Sequence, residues 1–150
     1  YPNSRAFIFS RTAVEREFAR GLGAFWTGNT EDEPPEKLSA IIDTTPAWKP
    51  VVKALRSLEK GGRLVINAIR KEDGDKESLF EIDYPRDLWM EKEIKSVANI
   101  TRKDVEEFLA LAAAIPIRPE IQEYTLDEAN KALLELKERK IRGAKVLKIQ

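Results

Sequence analysis

The chain has 150 residues and 17.1 kDa, the size of one domain. Its 26 Lys plus Arg offset its 26 Asp plus Glu, which argues against nucleic-acid binding by bulk phosphate neutralisation. With no Cys and no His, the chain offers no disulfide, thiolate nucleophile, imidazole base or Cys/His metal site. Hydrophobic residues at 42% suffice for a core. Charged residues at 35% and a single Met match the usage of thermophilic cytosolic proteins. No apolar run approaches the roughly 18 residues of a spanning helix, so no membrane span is expected. The start, Tyr1-Pro2-Asn3-Ser4-Arg5, is neither a signal peptide nor an initiator Met, and the chain reads as a piece of something longer.

Ala6–Phe9 reads as a buried strand. Val14, Phe18 and Leu22 then recur at helical spacing, with Thr12 and Glu15 as a capping box and Gly21 and Gly23 as the stop. Ala24–Trp26 fits a very short strand, and residues 28–37 an acidic loop. Leu38–Asp43 is a second buried strand. Trp48, Val51, Val52, Leu55 and Leu58 make a helical face. Lys60-Gly61-Gly62 is a turn before a third strand, Arg63–Ile69. Residues 70–78 read as a charged loop, Leu88–Met90 as a short helix and Ile94–Val97 as a strand. Arg102–Ala114 is a helix with Val105, Phe108, Leu109 and Ala112 inward. Pro116 and Pro119 mark a break. Beyond it lie a strand at Ile121–Tyr124, a helix capped by Thr125 and Glu128 with Ala129, Leu133 and Leu136 on its apolar face, and a strand at Ala144–Ile149. Strands alternating with helices predict parallel α/β units.

Ligands of open parallel sheets bind beyond the carboxyl ends of the strands. Three such ends are polar: Ser10-Arg11-Thr12, Asp43-Thr44-Thr45 and Asn67-Ala68-Ile69. Each also reads as ordinary strand-to-helix capping. No glycine-rich phosphate loop is present; Gly21-Leu22-Gly23 ends a helix rather than opening one, and Trp26 stands where a third glycine would. Glu31-Asp32-Glu33, Asp73 and Asp75 read as solvated surface, with an all-oxygen cation site as the alternative. Nothing indicates secretion, so the sequon Asn99-Ile100-Thr101 is given no role.

Several segments, in order and spacing, resemble the C-terminal part of the medium-chain, zinc-type alcohol dehydrogenases. They are residues 19–24 (ARGLGA), 42–45 (IDTT), 55–66 with Gly61-Gly62-Arg63, 92–96 (KEIKS), 101–104 (TRKD), 126–133 (LDEANKAL) and 140–147 (KIRGAKVL). The resemblance implies a Rossmann-type parallel sheet with helices on both faces, entered at the family's second strand. The first strand and glycine-rich turn are lacking. Residues 1–116 would form this partial dinucleotide-binding domain, and residues 117–150 the closing strand-helix-strand of the catalytic domain. The rest of that domain, with the zinc ligands, would lie in the missing N-terminal part. The intact protein would transfer hydride between an alcohol and a nicotinamide cofactor, and the 150 residues alone would be inactive.

The resemblance also implies residue roles. Where NAD-dependent relatives end the second strand with an acid for the ribose, this chain has Ser10 followed by Arg11. A hydroxyl and a guanidinium suit a 2′-phosphate, so NADP is expected over NAD, unless Arg11 only stacks on adenine. Thr12 belongs to the same turn. Thr44 and Thr45 would lie under the cofactor, Asn67, Ala68 and Ile69 toward the nicotinamide, and Arg142 at the pyrophosphate; Asn99 is given no ligand. Ile94–Val97 would be the edge strand through which copies pair into a homo-oligomer. The alternatives are a zinc-independent quinone or enoyl reductase of the same superfamily, and a non-catalytic nucleotide-binding or interaction module. A sheet without its first strand has a gap at its centre, so the isolated chain is expected to be unstable unless other polypeptide fills it.

Overall fold

The computed structural model describes residues 4–115, 117–138 and 143–149. Its contacts divide the chain into two units, Tyr1–Asn99 and Ile100–Gln150.

In the first unit, β1 (Phe7–Phe9) leads into α1 (Ala13–Gly21) and then β2 (Trp26–Gly28), which pairs parallel to β1. α1 begins where the Thr12 hydroxyl accepts the Glu15 amide, and it ends before Gly23 at φ +93°. β2 starts two residues later than the apolar run suggested. The Ala24 amide still closes the helix onto Ala19 O (3.0 Å), and pairing begins only when the Phe25 amide reaches Ala6 O (2.8 Å). Phe7, Phe9, Phe25 and Trp26 stack across the pair, with ring centroids 5.0 to 6.3 Å apart.

β3 (Leu38–Asp43), α2 (Lys49–Ser57) and β4 (Leu58–Ile66) form the next parallel crossover, and β5 (Glu93–Ser96) adds to the far side of β4. Val51 and Leu55 of α2 and Leu58 and Leu64 of β4 are the buried centre, with Ile41, Trp48, Ile66 and Leu88 packed around them. The expected turn at Lys60-Gly61-Gly62 is absorbed into β4 as an irregularity: Leu38 pairs with Leu58 but Ala40 with Arg63. Gly61, at φ +71°, permits this. β4 stops at Ile66, so Asn67, Ala68 and Ile69 lie in the loop beyond the strand rather than within it. The expected helix at Leu88–Met90 is instead a single π-type turn over Tyr84–Leu88. The chain then kinks at Met90 and Glu91, both at positive φ, so that Met90 O accepts the Gly61 amide at 2.9 Å.

Among the described residues the two sheets of this unit do not join: β1 pairs only with β2, and β3 pairs only with β4, on one side. Both free edges line one cleft of about 880 Å³, with Phe7, Ile8 and Phe9 on one wall and residues 38–43 on the other.

In the second unit, a full capping box of Thr101 and Asp104 opens α3 (Arg102–Ala114). β6 (Ile121–Thr125) and β7 (Ala144–Lys148) pair parallel, from Ile121 opposite Ala144 to Thr125 opposite Lys148. A 3₁₀ turn, Leu126–Glu128, carries the second expected capping box into α4 (Ala129–Lys137). Among the described residues of this unit, Tyr124 and Ala132 are buried. Val105, Phe108 and Leu109, expected inward, are about half exposed or more, and so are Leu133 and Leu136 of α4. Two strands offer too little surface to cover two amphipathic helices. At the centre of this unit the Lys145 ammonium donates to Glu135 and to the Tyr124 hydroxyl, which itself donates to Glu135 at 2.6 Å.

Candidate functional site

The candidate site is built at the carboxyl ends of β1, β3 and β4. At the end of β1, Ser10 is held by three contacts. Its amide donates to Gly28 O (2.9 Å), its carbonyl accepts from the Arg16 guanidinium (2.6 Å), and its hydroxyl donates to the Glu15 carboxylate. Thr12 is engaged as the N-cap of α1. Arg11 is exposed and forms no hydrogen bond or ion pair among the described residues.

At the end of β3 the geometry is tighter. Asp43 is buried; its carboxylate accepts the Thr45 hydroxyl (2.8 Å) and the Lys71 ammonium, and its carbonyl accepts the Asn67 amide (2.8 Å). Lys71 also donates to Thr45 O (2.8 Å) and Ala47 O (2.9 Å). The Thr45 hydroxyl is therefore committed to the protein, whereas Thr44 is exposed on the cleft. Asn67 and Ile69 project into solvent from the adjoining loop, and Ala68 is half-buried. The structure thus brings Thr44, Thr45 and Asn67 together through Asp43. It places Ser10, Arg11 and Thr12 at the end of the strand on the other wall of the cleft. Arg142 lies outside the described residues.

Two charged residues of the segment read as a charged loop turn inward. Lys71 is one. Asp75 is the other: its carboxylate accepts the amides of Trp48 (2.9 Å) and Lys49 (2.8 Å), capping α2, which has no cap of its own. The Lys49 amide, and after it that of Trp48, hold the Asp75 carboxyl below its ordinary value against the effect of burial. Asp75 is thus neither free surface nor a cation ligand. No local signal marks either residue; only a carboxylate followed by the chain's return past Trp48 could have suggested the cap.

No group of three His, Cys, Asp or Glu able to hold a metal occurs among the described residues, and the chain has no His or Cys at all. The residues present do not fit a zinc ion. No helix among the described residues is long and apolar enough to cross a membrane.

Strands in parallel, helices between them and polar carboxyl ends at a break in the sheet define a partial dinucleotide-binding fold of Rossmann type. The comparisons with known proteins agree. The chain is 35% identical, over 142 residues, to the Mycobacterium tuberculosis protein named "Probable alcohol dehydrogenase AdhA"; this covers 95% of the chain and 40% of that relative. Among solved structures it superposes on a cinnamyl alcohol dehydrogenase of Sorghum bicolor (TM-score 0.71, 18% identity, 95% of this chain and 40% of that one). It superposes equally on a Helicobacter pylori CAD complexed with NADP(H) (0.72, 17%, 95% and 40%). The Bacillus subtilis protein yhfP with NAD bound gives 0.72 at 14% identity, covering 97% and 47%. No protein-family model matches. In sequence and fold the chain resembles the C-terminal, cofactor-domain part of medium-chain zinc-type alcohol dehydrogenases, and it spans about 40% of the length of its curated relative.

Proposed function

We propose that this chain is the cofactor-binding part of a nicotinamide-dependent oxidoreductase that interconverts alcohols and carbonyl compounds. The observation that carries the reading is the break between β1 and β3. Two unpaired parallel edges face one cleft, and the polar strand ends stand around it, where the order of a doubly wound sheet reverses and dinucleotides bind. We assign the cleft to an extended strand of further polypeptide, whose following turn would bring backbone amides to the pyrophosphate. The bound nicotinamide supplies or accepts the hydride.

The residues described here bind and orient. Arg11 presents an unpaired guanidinium beside Ser10, at the strand end where an acid would exclude a 2′-phosphate, while the Ser10 hydroxyl itself is engaged by Glu15. This supports NADP over NAD, although relatives of this fold carry either. Thr44 and the Asn67–Ile69 loop would floor the rest of the dinucleotide, with Arg142 at the pyrophosphate. We place the boundary of the cofactor domain at residue 116, so that 117–150 returns to the catalytic domain. Any zinc would be held by polypeptide other than this chain.

The test is equilibrium binding of NADPH and NADH to the intact protein, followed by quenching of its tryptophan fluorescence. Micromolar quenching by either supports the reading. No response to either at millimolar concentration overturns it. Metal analysis of the same sample separates the zinc enzyme from the zinc-independent reductase.

A further inference from the structure

Lys71 has a place in this site that its sequence neighbourhood does not suggest. It stands in the loop after β4, yet its side chain is only 10% exposed, and all three hydrogen-bond partners of its ammonium belong to the last residue of β3 or the segment that follows it. The ring of Trp48 lies 5.8 Å from the same nitrogen. Neighbouring contacts run the same way. The Glu72 amide donates to Pro46 O (2.8 Å), the Asn67 amide to Asp43 O (2.8 Å), and Asp75 takes the Trp48 and Lys49 amides. One buried cation therefore joins two carboxyl-end loops, the one bearing Thr44 and Thr45 and the one bearing Asn67, Ala68 and Ile69. Ser10 is held from its own helix, by Arg16 and Glu15, and among the described residues no hydrogen bond joins Ser10 or Arg11 to either of these loops.

We propose that Lys71 is a positioning residue for the nicotinamide-side half of the dinucleotide site: its bonds to Asp43, Thr45 O and Ala47 O hold the β3 and β4 loops as one platform. The proposal rests on the nucleotide-binding reading above. Lys71 touches no cofactor itself. Its removal leaves the buried Asp43 carboxylate without its counter-charge and frees the backbone of Thr45 and Ala47, which costs orientation rather than a contact. The adenine half, read at the end of β1, is outside its reach.

The test compares two ligands on the intact protein: NADPH, and 2′,5′-ADP, which carries the adenine half alone. Lys71→Met is expected to weaken NADPH by about tenfold or more while 2′,5′-ADP stays within about twofold, since small displacements of a positioned group carry large costs. Lys71→Arg, which keeps the charge and the donors, is expected to recover most of the loss. Should Lys71→Met fail to fold, the double variant Asp43→Asn/Lys71→Met, which removes the stranded charge, is read the same way. Equal weakening of both ligands, or unchanged NADPH affinity in a folded variant, overturns the proposal and leaves the nucleotide reading standing. Failure of the unsubstituted protein to bind either ligand overturns both.

Discussion

Ser10 and Glu15 set the terms for cofactor choice at the scale of single residues. The Ser10 hydroxyl already donates to the Glu15 carboxylate. A 2′-phosphate must take that hydroxyl from Glu15 and then sit beside a like charge, while an unphosphorylated ribose brings donors that a carboxylate accepts. Ser10→Asp is therefore expected to turn preference toward NAD, and Glu15→Gln toward NADP. For the second, the ratio of NADPH to NADH affinity should rise about fivefold, the scale of one exposed charge pair at close range. Competitive titration reads both; an unchanged ratio in both variants would show that recognition of the ribose lies elsewhere. Ser10 was legible in the sequence because a polar residue ending an apolar run stands out. Lys71 was not, since among Arg70, Lys71 and Glu72 nothing local says which side chain folds under the loop.

At the scale of elements, α2 shows how distant residues finish a helix. Asp75 supplies the cap that Trp48 cannot, and Lys92 closes the other end on Leu55 O (2.8 Å). Asp75→Ala should cost about 1 kcal/mol, the usual worth of an N-cap, as a lower thermal midpoint of the intact protein. The carboxyl lies below its ordinary value in the folded state. Its stabilisation is thus complete above the unfolded carboxyl's pKa and fades as pH falls through the lower folded one. Asp87 binds the Tyr84–Leu88 turn in a different way. It is fully buried, taking the Arg86 guanidinium (2.7 and 2.8 Å) and the Asp83 amide (2.9 Å), with Arg56 at 3.8 Å. Burial pushes its carboxyl upward, but Arg86, the Asp83 amide and Arg56 outweigh that and hold it below the ordinary value. Asp87→Ala removes the carboxylate shared by two arginines, both of which keep Glu81 as a partner, and should cost about 1.5–3 kcal/mol by urea unfolding. A loss under about 1 kcal/mol would show that solvent reaches the turn and solvates the arginines.

For the whole molecule, the cleft between β1 and β3 decides behaviour. Unpaired parallel edges and exposed Ile8 and Ile42 beside them are the ingredients of aggregation when nothing covers them. The isolated 150 residues are expected to unfold without a cooperative transition and to bind a hydrophobic dye. A sharp calorimetric transition of the isolated monomer would contradict the assignment of the cleft to further polypeptide. β5, at the other margin of its sheet, leaves Ile94 and Val97 about half exposed. Pairing of this strand with a second copy is the proposed route to oligomers, which Ile94→Lys should block in sedimentation measurements.

Much of this was determined by the sequence alone. Among the described residues, apolar runs broken by Gly, Pro and capping residues located each strand and each of the four α-helices, with the limits of β3 and α3 found to the residue and β4 beginning well before the expected Arg63. Those signals are local, because a strand's alternation and a helix's first turn are written in neighbouring positions. The polar ends of β1, β3 and β4 were equally readable, and with them the resemblance to a dehydrogenase. Tertiary structure alone decided which charges turn inward. Lys71, Asp75 and Asp87 acquire their roles from partners 26 to 31 residues away, and burial is a property of what packs above a residue. It alone decided, too, that α3 and α4 leave apolar faces uncovered and that β1 and β3 face each other unpaired, because hydrogen-bond pairing between distant strands has no signature in either strand's own residues.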